Sequence, residues 1–265
     1  MLKLRSWLAA ASLAALAAGC AKPTVVAPVV TQSEWTDARR ALAELRRHTP
    51  SKAFVEIVHV SLREPKTGHV LRARGAVAID PHRAMRLVLL GPGGTTALDV
   101  WVTPDAWRFA VPELNVVRRS KAGDASADLA AGFPIEFFRW WFLEPLDGRL
   151  LFAKESSDPS QSVTYRSFVL ANGETTVRLT AMYGLHESSG PLRRAFFASR
   201  RDLRVRGVDN LSWHAHDFLP GPGEDASYKQ SATGFEVQIG VEEMSLDAPD
   251  PTAFFDPDQS NGASL

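Results

Sequence analysis

Between Leu71 and Val111 the chain alternates apolar and polar residues in four short segments separated by turns. Leu71, Ala73, Gly75, Val77 and Ile79 fall on one face, with Arg72 and Arg74 on the other. After Asp80-Pro81-His82 the pattern repeats at Met85, Leu87 and Leu89. Beyond Gly91-Pro92-Gly93-Gly94 come Leu98, Val100 and Val102 opposite Asp99, then Trp107, Phe109 and Val111 opposite Arg108. Period-two alternation with turn punctuation specifies antiparallel strands with one apolar face. Something must cover that face: the chain's own helices, or a guest.

Two helices are on offer. Ser33 is positioned to cap the first, whose stripe of Trp35, Ala38, Leu42 and Leu45 leaves Arg39, Arg40, Arg46 and Arg47 outside; Thr49-Pro50 ends it. A helical composition returns at Ala125, and Pro134 opens Ile135–Leu143, which holds five aromatic residues against two charged ones. A helix apolar on nearly all sides is buried on nearly all sides, or faces a greasy ligand. Strands are expected at 53–62 and 114–119, at 149–154, 162–171 and 175–183, and at 191–200, 205–218 and 235–241, with Asn172-Gly173 a strong hairpin turn. The tail from Asp247 carries Pro249, Pro251, Pro257 and the pair Phe254-Phe255, which would pin it to the body. Helix, strands, helical segments and more strands read as one curved antiparallel sheet with helices in its concave side, a half-open barrel. A sandwich of two sheets would also fit the order, but would leave the aromatic helix without a home.

The amino terminus speaks to location. Lys3 and Arg5 precede an apolar run from Trp7 to Ala18 and then Gly19-Cys20, the chain's single cysteine. This is the layout of a secretory signal peptide, too short for a comfortable membrane span. Leu16-Ala17-Ala18-Gly19-Cys20 resembles the lipobox of bacterial lipoproteins, with Ala17 where a large aliphatic residue is usual. Residues 1–19 are therefore expected to be removed and Cys20 to be lipidated, its acyl chains (palmitate among them) anchoring the protein without spanning the bilayer. Residues 20–32, with two prolines, form the tether; 33–256 form a single domain and 257–265 a tail. Ala21 after the cysteine, by resemblance to the sorting pattern of enteric bacteria, places the protein at the periplasmic face of the outer membrane.

Other function classes find little support. Thirty basic residues balance thirty acidic ones, so nucleic acid is not an expected partner. No Gly-x-Ser-x-Gly motif occurs, and the only thiol belongs to the anchor, so no catalytic residue is assigned and no enzyme is expected. Gly91-Pro92-Gly93-Gly94-Thr95 lacks the lysine of a phosphate loop. His214 and His216 would share a strand face, but no third ligand follows from spacing; neither metal nor cofactor is expected. What the sequence offers is apolar area. Sequestering an acyl chain against it would be worth several kcal/mol at roughly 25 cal/mol per Å². Packing against the chain's own helices would use the same residues.

The order of motifs resembles the outer-membrane lipoprotein receptor of the Lol system, LolB, and the wider LolA/LolB-like superfamily. The resemblance rests on Arg74-Gly75-Ala76-Val77, on Arg86–Gly94, and on Ala131-Gly132-Phe133-Pro134-Ile135 running to Arg139-Trp140-Trp141 and Pro145-Leu146-Asp147-Gly148. It covers about residues 70 to 150; Asp250-Pro251-x-x-Phe254 is similar to endings among the carrier relatives. The resemblance implies a half-open barrel with a helical lid over a cavity for lipoprotein acyl chains or another lipid. Leu71, Val77, Met85, Leu87, Leu89, Leu98, Val100, Trp107, Phe109, Phe138 and Trp141 would line it. A periplasmic LolA-like carrier would be the partner, the receptor a monomer, and Pro92 and Gly93 the membrane-facing loop. The receptor family presents a leucine where this chain has Gly93. The alternative is an envelope-assembly or structural lipoprotein that uses the same half-barrel as a protein-binding module.

Overall fold

A computed structural model describes residues 30–121, 133–160, 163–173, 175–184, 193–202, 207–212, 215–216 and 219–260. The signal peptide, Cys20, most of the expected tether, the helical stretch at 125–132 and His214 lie outside the described residues.

Two compact units are distinguished, the first ending at Thr36 and the second running from Asp37. In the first, helix α1 (Gln32–Arg47) begins under a capping box. Thr31, not Ser33, is the cap: its hydroxyl accepts the Glu34 N–H at 3.3 Å, and the Glu34 carboxylate accepts the Thr31 N–H at 2.7 Å. Both residues can cap; the glutamate three places on selects Thr31. In the second unit α1 buries Ala38, Leu42 and Leu45. Arg46, expected on the solvent side, folds back and donates to the carbonyls of Leu146 and Gly148 at 2.9 and 2.6 Å.

Fourteen strands follow among the described residues. The first six are β1 (Phe54–Arg63), β2 (Val70–Asp80), β3 (Ala84–Leu90), β4 (Thr96–Val102), β5 (Ala106–Val111) and β6 (Val116–Lys121). Helix α2 (Ile135–Leu143) comes next, then β7 (Arg149–Asp158), β8 (Val163–Asn172), β9 (Thr175–Gly184), β10 (Arg193–Asp202), β11 (Gly207–Ser212) and β12 (Ala215–His216). The last strands are β13 (Ala226–Lys229) and β14 (Glu236–Ser245), before a short helix α3 (Pro257–Ser260). They form one antiparallel sheet in the order β6-β5-β4-β3-β2-β1-β14-β13-β11-β10-β9-β8-β7, with β12 against β10. The closing pair β1–β14 joins the two meanders, so the arrangement is a single sheet rather than a sandwich. Its ends, β6 and β7, do not pair with each other, which leaves the sheet open.

The sheet is also curled. Phe133 lies 4.9 Å from Phe109 on β5 and 6.0 Å from Phe235 at the start of β14, ring centre to ring centre. Five strand-to-strand steps separate β5 from β14, which in a flat sheet would put them about 24 Å apart. One ring reaches both only because the sheet wraps around α2.

The opposite face of β3–β6 is covered too. Asp99, placed by the alternation on the solvent side, is buried: Arg86 grips it at 2.9 and 3.0 Å and Arg108 at 3.1 Å. Arg108 in turn holds Asp258 of α3 at 3.1 Å, and the Trp101 indole donates to the Phe254 carbonyl at 3.0 Å. The segment after β14 is thus tied down over these polar groups.

Candidate ligand-binding site

The residues expected to line a cavity fall into one contiguous cluster. Val77, Met85, Leu87, Leu89, Leu98, Val100, Trp107, Phe138 and Trp141 are fully or almost fully buried, and Phe109 packs against them. Leu71 stands apart. It shares their face but is 40% exposed, because burial along β2 begins only at Gly75.

What covers the face is α2. Every residue from Ile135 to Leu143 except Glu136 is buried, so the helix is surrounded rather than laid on a surface. Phe137 stacks on Tyr228 of β13, and Phe133 stacks on Phe138 at 5.0 Å. Few polar ties hold the helix. Arg139 pairs with Glu136 and donates to the Thr103 carbonyl of the β4–β5 turn at 2.9 Å, and the Trp140 indole donates to the Pro145 carbonyl at 3.1 Å. A nine-residue helix has little stability of its own, so its place depends on the aromatic contacts. Trp107 carries a buried indole N–H with no partner among the described residues, a polar defect in a largely apolar wall.

At the carboxyl end of α2 the packing opens into a pocket of about 180 Å³. Phe54, Phe142, Leu143 and Leu146 form its apolar part; Arg46, His82 and Asp147 form a polar rim, with His82 and Asp147 3.6 Å apart. Burial, and then the Asp147 charge, raises the Glu144 carboxyl beside this rim from its ordinary value. The pocket is smaller than the roughly 300–1,000 Å³ of sites that enclose a small-molecule ligand.

The pattern gave no warning of Glu56. It occupies an inward position of β1, between Phe54 and Val58, and is fully buried. Burial pushes its carboxyl up to about 7, with Glu224 adding to the rise and the Gly223 backbone amide opposing it. Among the described residues, neither oxygen has a partner in hydrogen-bonding geometry. A single glutamate in the apolar register of a strand was the available signal.

Pro92 and Gly93 sit at the exposed tip of the β3–β4 turn. Gly93 has φ of 74°, and the space around its Cα is open. Leu90 and Leu114 are exposed nearby, and Thr95 of this turn bonds Glu113 of the β5–β6 turn at 3.2 Å. Among the described residues no helix is long and apolar enough to cross a membrane, and no group of side chains is arranged to hold a metal ion. The side chain of His216 and all of His214 lie outside what is described.

No family model matches the sequence, and no curated protein matches it significantly. Solved structures share its fold. A LolA-superfamily protein from Nitrosomonas europaea aligns over 83% of this chain and 97% of its own, with 11% identity and a TM-score of 0.50. A DUF1329-family protein from Desulfovibrio piger aligns over 84% of this chain and 98% of its own, with 13% identity and a TM-score of 0.52. An open antiparallel sheet curled around a buried helix is thus the LolA-like fold.

Proposed function

We propose that the chain is an envelope lipoprotein, anchored through Cys20, that takes acyl chains between its sheet and α2. The observation that carries this reading is the helix itself: a short, largely aromatic segment fills the concave face, held mainly by ring contacts that an acyl chain can replace. The kinship of fold with a LolA-superfamily protein supports it. In this reading the protein sits at the periplasmic face of the outer membrane. It receives lipoproteins, or other lipids, from a soluble LolA-like carrier and passes them to the bilayer. It acts as a monomer, without catalysis or cofactor. The eleven residues expected as lining, Leu71 included, would meet the guest once α2 has moved.

Uptake of a fluorescent acyl probe by delipidated Cys20→Ala protein tests the proposal, with native mass spectrometry for co-purified lipid. Saturable uptake that a carrier-bound lipoprotein displaces is expected. No uptake at any protein concentration would sink the idea. A second reading is an envelope-assembly module that binds protein, favoured by the observation that the helix already fills the face. It predicts a co-purified protein and an interior that stays closed to lipid.

A further inference from the structure

Residues 219–225, Leu-Pro-Gly-Pro-Gly-Glu-Asp, cross the molecule beside the carboxyl end of α2. A side chain at Gly221 would meet Pro145 Cγ at 2.9 Å and the Trp141 carbonyl oxygen at 3.3 Å, so the segment touches the helix end directly. With φ of 128° at Gly221 and 90° at Gly223, this path is open only to glycine. Pro222 lines the pocket at the end of α2, and Asp225 accepts the Val241 N–H of β14 at 2.8 Å. Between these moorings Gly223 presents its amide to Glu56, whose cross-strand neighbours are Val77 on β2 and Met244 on β14.

We infer that residues 219–225 are a strap over α2 whose closure is set by the protonation of Glu56. The neutral carboxyl lies buried under the closed strap; the carboxylate draws in water, lifts the strap and frees the end of the helix. The reason is solvation. A carboxylate without a partner is far costlier to bury than the acid, so ionisation favours whichever state lets water reach it. Of the groups facing Glu56 only the Gly223 amide favours its charge, and burial outweighs it. Val77 and Met244 flank it on the neighbouring strands, and the strap brings Glu224, which repels a second charge. Asp225 is engaged by Val241, and Arg46 of α1 is engaged by Leu146 and Gly148. At the helix end, Glu144, Asp147, Arg139 and His82 act on one another. No cation among the described residues is one of the groups that act on Glu56. Its titration near 7 places the change within reach of physiological pH.

Hydrogen exchange of the full chain, corrected for the intrinsic effect of pH, reads the strap without any lipid. Its failure is therefore separate from a failure of acyl binding. Opening of amides in 219–225 and 141–146 is expected to rise more than tenfold between pH 5 and 7.5 and to level off above, since each pKa unit is worth a factor of ten. In Glu56→Gln the same amides lose this dependence. Glu224→Gln, which leaves β1 untouched, moves the midpoint to lower pH and covers the case in which Glu56→Gln does not fold. Equal pH profiles in wild type and Glu56→Gln overturn the inference, as does a Glu56 carboxyl that titrates below pH 5 by carbon NMR.

Discussion

Phe137 on α2 lies face to face with Tyr228 on β13, ring centres 4.2 Å apart and planes within 7°. This pair fastens the helix to the carboxy-terminal half of the sheet, while Phe133 and Phe138 hold it to the other half. Cutting Phe137 back to alanine removes a fully buried ring and should cost about 3–5 kcal/mol in denaturant unfolding. Tyr228→Ala should cost less and leave α2 intact. If the helix is the lid, Tyr228→Ala raises acyl-probe affinity, because the open state becomes more populated. Loss of stability with unchanged or weaker probe binding would argue for a permanent core helix.

Glu56 sets a second expectation. Its folded pKa of about 7 lies above the ordinary value of 4.5, so the folded chain holds the proton more tightly than the unfolded one. Stability is then greatest below about pH 4.5, falls as pH rises from there to 7, and is flat above. The span of the effect is about 3 kcal/mol. Glu56→Gln should flatten the profile and stabilise the protein at pH 8 by up to that amount, measured as the urea midpoint at a series of pH values.

Asp99 should behave in the opposite way. It is buried and grips two arginines, so Asp99→Ala leaves Arg86 and Arg108 facing each other and is expected to cost about 3 kcal/mol. Asp258→Ala, at the exposed end of the same chain of contacts, should cost at most about 1 kcal/mol. Its signature is release of the tail, seen as faster proteolysis after residue 247. Equal losses for the two variants would show that α3 contributes as much as the buried pair.

The contrast between Asp99 and Val100 shows how far the pattern reaches. Alternation places Val77, Leu87 and Val100 inward because apolar area dictates it locally, and α2 is legible for the same reason. Asp99 and Arg108 read as solvent-facing, yet both are buried, and Arg108 is held by Asp258, which lies 150 residues beyond it. No local pattern encodes such a partner. Arg46 was hidden likewise, its acceptors being carbonyls a hundred residues away. Glu56 was legible only as an exception within an apolar register, and strand β13 is too short and too polar for periodicity to mark. The buried apolar face could be read from the sequence; the path of residues 219–225 and the polar rim beside α2 could not.

Gly75, in the motif that carries the family resemblance, has a different constraint from Gly93. A methyl group at Gly75 would stand 2.0 Å from the Val88 carbonyl oxygen, backbone against backbone between β2 and β3. Gly75→Ala should therefore cost about 3 kcal/mol, as overpacking does. Gly93→Ala meets open space and pays only for its left-handed conformation, about 1 kcal/mol. A thermal melt of the two variants separates them; similar losses would mean that β2 and β3 can part more easily than their register implies.

The same open space makes Gly93 the place to test contact with a membrane. The turn already exposes Pro92, with Leu90 and Leu114 exposed beside it. Transfer of one leucine side chain from water to an apolar phase is worth about 2 kcal/mol, or roughly 30-fold in partitioning. Gly93→Leu in the Cys20→Ala background should therefore bind lipid vesicles more tightly by about that factor, without loss of fold. Leu114→Ser should weaken whatever binding the unaltered turn provides. Co-sedimentation with vesicles measures both. If Leu114→Ser abolishes weak vesicle binding, Leu114 supplies the apolar contact that glycine lacks. If neither substitution alters sedimentation, the turn faces away from the bilayer.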